Sequence, residues 1–492
     1  MRFSNKYFDR KAVIGWGAGV FACLAAIILI VVGKHGISFG FPLDDAWIHQ
    51  TYARNLAHTG TWSFIPGKVS GGSTSPLWTI LLALGYFISE KFAWFWTLAL
   101  SIVAMGVVVV LLVKMLRNYQ IQSALLVVPF MFLVGLEWHL QWAVASGMET
   151  MLYCLGICAI MYFLFSEQPK WVWIGILLGL LLWIRPDGLT LFGPICVIGL
   201  VELRRKKIKF RSLIPGLIGF VGLATCYLIL NKITTGNIFP NTYYAKQMEY
   251  QELWTLPFLQ RVVNEFQVWV IGPGIIVLPG FLYAIYWSIK TKDWKLFAFI
   301  LWCIGFGVLY ALRLPVNYQH GRYMIPVLPV YLFIGYLGSM QIVKQIAKES
   351  TQKVIQFAFS ASVILTSFGF YLLGISTYRQ DVETINTLMV EPARRIAATT
   401  LNSDVIAVHD IGAMGYFSGR EIIDLAGLVN PEVIPFIRNE PRLLEYMHDK
   451  GVDYFVCLDD WYQTSSSWGE EIARYSFTLD NSVKATVVLK LK

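Results

Sequence analysis

Long apolar runs separated by short polar segments set the pattern of this chain. Eleven such runs fall near residues 12–33, 92–113, 121–136, 150–166, 171–184, 188–203, 212–231, 267–289, 296–312, 323–340 and 354–376. Their lengths bracket the roughly 20 residues with which a helix crosses a bilayer. A further apolar stretch, PLWTILLALGYFISE (76–90), is short for a span. If it crossed, the loop KMLRNYQ (114–120) and the basic block RRKKIKFR (204–211) would both lie outside, against the positive-inside bias. Lying in the interface, it leaves a consistent alternation of eleven spans. The first run follows Arg2, Lys6, Arg10 and Lys11 and is too long for a signal-peptide core, so it reads as an uncleaved span with a cytoplasmic N-terminus.

Charge supports that topology. The inner segments (1–11, 114–120, 167–170, 202–211, 290–295 and 341–353) hold 19 Lys and Arg against 5 Asp and Glu, and the remainder holds 21 against 26. All seven histidines (His35, His49, His58, His139, His320, His409 and His448) fall outside or at the outer edge. The outer segments are the long ones: 34–91, 137–149, 232–266, 313–322 and 377–492. In the last, VIAVHD (405–410), EIIDLA (421–426), DYFVCL (453–458) and ATVVLK (485–490) read as strands, with a helix over PRLLEYMHDK (441–450). The predicted architecture is a polytopic α-helical membrane domain (1–376), with a first extracytoplasmic loop at 34–91, followed by an extracytoplasmic α/β domain (377–492).

Composition agrees. The 492 residues are 56% hydrophobic and 14% charged, against about 25% charged in soluble domains. The net charge of +9 comes largely from inter-span loops, and no nucleic-acid recognition motif accompanies it, so nucleic acid is not an expected partner. The seven cysteines show neither metal spacing nor a disulfide framework.

Against this background Asp44-Asp45 stands out, at the head of FPLDDAWIHQTYARNLAHTGTWSFIPGKVSGGSTSPLWTILL (41–82). Adjacent carboxylates beside a bilayer are costly. Ile48, Tyr52 and Leu56 recur at helical spacing and Gly60 can end the helix, so the pair sits at a helix N-terminus, where the dipole favours ionised carboxylates. One Asp could serve as an N-cap. The pair is also suited to general-base work, and to holding a divalent cation. Displacing a phosphate from a sugar carbon needs such a base and cations for the leaving phosphate. Candidate cations outside are Arg54, Lys246 in PNTYYAK (240–246), and His320 and Arg322 in NYQHGRYMIP (317–326). Glu149 in ASGMETMLY reads as either a helix N-terminal charge or a further site carboxylate. Trp47, Trp62, Trp78, Trp138 and Trp142 read as an interfacial belt or as sugar-stacking surfaces, and Arg185 and Asp187 of WIRPDG as a mutually neutralising pair at the outer edge.

The first-loop segment resembles the motif of membrane glycosyltransferases of the GT-C fold, in the branch that includes the mycobacterial terminal arabinofuranosyltransferases and mannosyltransferase-like enzymes. The matching blocks are Asp44–Trp47, Tyr52–Leu56, Gly60, Phe64–Gly67 and Thr74–Trp78. ASGMET, IRPDG, PNTYYAK, HGRYMIP and the C-terminal DIGAMGYFSGREIIDLAGLVNPE (410–432) are similar to further family blocks, so the resemblance spans nearly the whole chain. Trp47 stands where the family usually has Tyr, Ile65 where it has Asn, and GSTSP (72–76) is shorter in its side chains; these departures bear on which sugar is used.

The resemblance implies a polyprenyl-phosphate-linked sugar donor and transfer on the outer face of the plasma membrane with inversion, to a wall polysaccharide, a glycolipid or a protein. One Asp of the pair would be the base, with Glu149 assisting and Arg54, Lys246, His320 and Arg322 receiving the donor phosphate. No cofactor is assigned from the sequence beyond a candidate divalent cation, for which Asp44 and Asp45 are the candidate ligands. The competing readings are a transporter or flippase of lipid-linked glycans, which predicts paired charges within spans, and a non-catalytic partner in a wall-synthesis complex.

Overall fold

In the computed structural model, residues 10–479 and 482–491 are described. Arg2 and Lys6, expected on the cytoplasmic side, lie outside the described residues. All eleven apolar runs are largely helical, the run at 267–289 being broken at 271–273 between Phe258–Val270 and Gly274–Thr291, and eight helices are long and apolar enough to cross a membrane. A ninth candidate is a pair, Ala124–Gly135 and Trp138–Ala145, bent by 50°. Glu137 makes that break, because its side chain accepts the Leu140 N–H (2.8 Å) and so starts the second helix afresh. The other two, Thr150–Phe165 and Trp171–Ile184, are shorter apolar helices, the second ending before Pro186. Residues Pro76–Tyr86 form an 11-residue helix opened by Pro76. At about 1.5 Å per residue it reaches only about half the hydrocarbon thickness.

The first-loop helix, Asp45–Thr59, is polar in sequence yet buried over most of its length, from Ala46 to Ala53 and at Asn55. The Pro76–Tyr86 helix covers one side of it and the Ile411–Phe417 helix of the C-terminal region covers another. Its buried amides are accordingly paired. Gln50 donates to Thr97 Oγ1 (2.9 Å) and accepts from Tyr86 Oη (2.7 Å), and Asn55 donates to the Ser63 and Phe64 carbonyls. Beyond this helix, strands β1 (Ser63–Ile65) and β2 (Lys68–Val69) form a small hairpin.

A helix of 37 residues, Glu349–Ile385, runs from the last apolar run into the C-terminal region. There a mixed five-stranded sheet is built from β3 (Val405–Val408), β4 (Glu421–Asp424), β5 (Tyr454–Leu458), β6 (Gly469–Leu479) and β7 (Ser482–Leu491), in the order β4-β3-β5-β7-β6. β3 runs parallel to β4 and β5, and β7 is antiparallel to β5 and β6. Alternation along β3 divides its side chains between two cores. Ala407 packs with Leu425, Leu443, Phe455 and Leu489. Ile406 and Val408 face the other way, toward Ile411 and Met414 and the first-loop residues Ile48, Tyr52 and Phe64. The sheet thus shares a hydrophobic core with the first loop. Four strands match the sequence expectation; β6 is an edge strand whose inward positions, among them Ala473 and Tyr475, are only half-buried, so its alternation leaves little apolar signal in GEEIARYSFTL.

Trp47, Trp78 and Trp142 correct a sequence expectation: all three are almost fully buried, so they form neither a belt nor an open stacking surface. Trp78 donates to the Gly147 carbonyl (3.0 Å) and Trp142 to Asp381 (2.8 Å).

Candidate active site

Asp44 and Asp45 send their carboxylates in different directions. Asp44 occupies the N-cap position of the Asp45–Thr59 helix, yet its side chain makes no cap bond there. Its Oδ2 accepts the Gly412 N–H and its Oδ1 the Ala413 N–H, both at 2.7 Å. Gly412 is required by this approach, since a Cβ on it would lie 2.0 Å from the Asp44 carbonyl oxygen and 2.7 Å from Oδ2. Burial, reinforced by the neighbouring Asp410 carboxylate, pushes Asp44 up to about 8, against the two N–H donors that favour its charged form. Burial thus works against the ionised form that the helix N-terminus favours. Burial and nearby Glu249 likewise raise Asp410, to about 6, against the opposing pull of His409.

Asp45 faces cations. Its Oδ2 is ion-paired with Arg322 Nη2 and lies 4.0 Å from Lys246 Nζ. Burial opposes its ionisation, but Arg322 and then Lys246 outweigh it and hold the carboxyl below the usual range. Arg322 is delivered by an unusual turn. Gln319, His320 and Gly321 have φ of 53°, 59° and 63°, three consecutive left-handed residues, two of them not glycine. A Cβ at Gly321 would lie 2.2 Å from Val268. Arg322 is buried, and its Nη1 has no hydrogen-bond partner among the described residues.

Tyr323 is the hub of the cation group. Its hydroxyl contacts Lys246 Nζ (2.5 Å) and Arg322 Nη2 (3.2 Å). Arg322, Arg185 and Lys246 lie 5.1, 5.2 and 5.3 Å from its ring centroid. Arg185 forms a two-point contact with Asp187 (3.1 and 3.0 Å), the neutralisation foreseen from sequence, but it also bonds Tyr310 Oη (2.9 Å) and lies 3.8 Å from Glu149. Glu149 in turn lies 3.5 Å from His49 Nε2, and burial favours the neutral form of that imidazole. Both readings of Glu149 thus find a counterpart: it sits at the N-cap of Thr150–Phe165 without a side-chain cap bond, and its side chain reaches the cluster.

Two expected cations are elsewhere. Arg54 donates to the Tyr416 carbonyl (2.9 Å), stacks over that ring and lies 3.8 Å from Glu90, so it joins the first loop to the Ile411–Phe417 helix. His320 turns away from its neighbour Arg322 and bonds Asp381 (2.7 Å), the same carboxylate oxygen that Trp142 reaches. Sequence reading missed His49 and Tyr323 as members of the cluster. Tyr323 lies inside a quoted block, but a tyrosine beside a span carries no signal of its own. Asp44, expected with Asp45 as a ligand for any divalent cation, accepts two backbone N–H groups and Asp45 pairs with Arg322, and no group of three His, Cys, Asp or Glu is placed for a metal among the described residues.

A family model described as a domain of unknown function (DUF8728) matches residues 374–487. Comparison with curated protein sequences gives no significant match. Among solved structures, ArnT from Cupriavidus metallidurans bound to undecaprenyl phosphate is similar, with a TM-score of 0.59 at 13% identity, over 95% of this chain and 97% of that one. The Archaeoglobus fulgidus oligosaccharyltransferase in the apo form gives 0.54 at 12%, over 92% and 70%. The same organism's AglB in complex with an inhibitory peptide and a dolichol-phosphate gives 0.52 at 12%, over 90% and 69%. At this identity the likeness is one of fold, and it covers the membrane helices and the C-terminal region together: the chain is a multi-pass membrane protein with the GT-C fold that the first-loop motif led us to expect.

Proposed function

We propose that this chain is a glycosyltransferase that moves a sugar from a polyprenyl-phosphate donor to an extracytoplasmic hydroxyl acceptor on a wall polysaccharide, glycolipid or protein. The observation that carries this is one backbone step. Asp44, held by two backbone N–H groups with its carboxyl raised to about 8, is followed directly by Asp45, which holds Arg322 and Lys246. A base with a pKa near ambient pH is the efficient kind, and adjacent Cα atoms are only about 3.8 Å apart. Asp44 uses one lone pair on each oxygen for Gly412 and Ala413, which leaves it oriented and still able to accept.

In this reading the acceptor O–H gives its proton to Asp44 and its oxygen attacks the anomeric carbon. The bond from that carbon to the phosphate oxygen breaks, and inversion follows from the single displacement. Arg322 and Lys246 release Asp45 to take the charge of the departing polyprenyl phosphate, with the unpartnered Arg322 Nη1 as a further donor. Asp45 keeps the cations in place between turnovers. Solved relatives of the same fold that hold undecaprenyl phosphate and dolichol-phosphate support the donor class. The charge distribution supports a cytoplasmic N-terminus and an outer site.

The test is release of free polyprenyl phosphate from a panel of lipid-phosphate sugars with acceptor glycans, by purified protein. Release that is lost in Asp44→Asn with Asp45→Asn supports the reading, and release unaffected by the pair rejects it. Outside labelling of a cysteine placed in 60–72, but not of one in 204–211, checks the orientation.

A further inference from the structure

At the other end of the bundle lies a cavity of about 200 Å3 lined by Val201, Arg205, Lys207, Lys292, Trp294 and Lys295 among others. Two helices connect this end to the Tyr323 cluster. Phe192–Arg204 follows directly on Arg185 and Asp187 and ends at the cavity. Trp294–Arg313 starts at the cavity and, 16 residues on, presents Tyr310 to Asp187 (2.6 Å). At about 1.5 Å per residue that is about 24 Å along the helix, so the cavity sits at the opposite membrane surface.

Its charge is unbalanced. Asp293 is committed elsewhere, one oxygen to the Leu296 N–H (3.1 Å) and the other to Tyr119 Oη (3.0 Å). Buried Glu202 acts on Lys295, which donates to the Ser166 carbonyl (3.3 Å). That leaves Arg205, Lys207 and Lys292, all exposed at the rim, with no carboxylate within 4.0 Å among the described residues; Arg205 bonds only the Lys292 carbonyl (3.3 Å). The cavity wall is apolar on its membrane side, through Ile198, Val201 and Trp294, and Val197 and Leu200 are exposed on the same helix. A three-cation rim beside apolar wall residues suits a phosphate that carries acyl chains better than a free anion, because Val201 and Trp294 offer the chains an apolar surface next to the headgroup.

We infer that this cavity binds the phosphate headgroup of an anionic phospholipid in the leaflet opposite the transfer site. The inference does not depend on what the Asp44–Asp45 site does.

The experiment uses the full chain in detergent, titrated with phosphatidylglycerol or phosphatidylcholine and read by native mass spectrometry. Phosphatidylglycerol should bind saturably and phosphatidylcholine should not. Replacing Arg205, Lys207 and Lys292 together by Gln should weaken binding on the order of 100-fold, since each surface cation contributes about five-fold. Arg204→Gln, Lys209→Gln and Arg211→Gln together remove the same charge from the same loop outside the cavity, and should leave affinity within about three-fold of wild type (electrostatic loss alone). Because all six side chains are exposed, unchanged melting of both variants is expected and is measured alongside. Equal loss in both triple variants, or no loss in the first, overturns the inference. Displacement of the lipid by millimolar inorganic phosphate would assign the cavity to soluble phosphate instead and overturn the lipid assignment.

Discussion

The Asp44 carboxylate accepts the Gly412 backbone N–H at 2.7 Å, across 368 residues of chain. With the Ala413 N–H on the other oxygen, it supplies the cap that the Ile411–Phe417 helix lacks from its own Asp410. The candidate base of the membrane domain is therefore held by the C-terminal region, and the two cannot separate without changing the environment of that carboxyl.

Gly412→Ala should act as a mutation of Asp44 without touching it. The new methyl would meet the Asp44 carbonyl oxygen at 2.0 Å, a backbone atom that cannot swing aside as a side-chain end can. Transfer should fall about 100-fold or more, within the range of removing a general base, while the sheet stays folded. Tryptophan fluorescence and turnover measured on the same sample check this; full turnover in Gly412→Ala would show that the contact is dispensable.

The pH dependence follows from Asp44. As a base it works when deprotonated, so with its carboxyl raised to about 8, kcat/KM should rise with pH and level off above that value. Asp410 is already ionised there, since its own value is about 6, and its negative charge disfavours ionisation of Asp44. Asp410→Asn should therefore move the rising limb to lower pH, and Asp45→Asn should move it in the same direction because Asp45 also raises Asp44. A pH profile of kcat/KM for the three proteins decides it, and a limb that stays in place in Asp410→Asn removes Asp44 as the titrating group.

Much of this fold was legible because hydrophobic length is a direct report of the solvent a segment meets. The eleven runs each became a helix, and four strands of the sheet announced themselves through apolar runs that pack on both faces. The site was legible only in part. Asp45, Lys246 and Arg322 converge as their charges suggested, but charge type says nothing about direction: the left-handed turn at Gln319 and His320 sends His320 to Asp381 and its neighbour Arg322 to Asp45. Arg54 is likewise on the right helix but rotated toward Tyr416. That Asp44 would cap a distant helix depends on a contact between segments 368 residues apart, which no local pattern encodes.

Arg185 and Asp187 test the stability side of the cluster. Arg185 is buried and bonds Asp187 and Tyr310. Removing one partner of such a pair strands the other charge, at a cost of about 3–5 kcal/mol. Arg185→Met should lower the thermal midpoint markedly, and adding Asp187→Leu should recover part of the loss, since the nearer stranded carboxylate is then gone while Glu149, 3.8 Å from Arg185, remains. Thermal unfolding of the single and double variants in the same detergent provides the comparison; a double variant less stable than the single would mean the pair is not the main stabilising unit.

Arg322 should separate donor binding from the base. Its guanidinium holds Asp45 and contacts Tyr323, and its Nη1 is unpaired, so it has a donor free for a phosphate oxygen. Lysine keeps the charge but loses the planar fork. Arg322→Lys should therefore raise the donor KM about ten-fold while retaining measurable turnover, whereas Arg322→Gln should lose turnover by a further 100-fold as the charge on the leaving phosphate goes unopposed. Tyr323→Phe keeps the ring under Arg185, Lys246 and Arg322 but frees Lys246 from its 2.5 Å contact with the hydroxyl. If that contact only positions Lys246, donor KM should change and the pH limb set by Asp44 should stay where it is. A shift of the limb in Tyr323→Phe would instead place the phenol within the titrating unit, and the assignment of the base to Asp44 alone would fail.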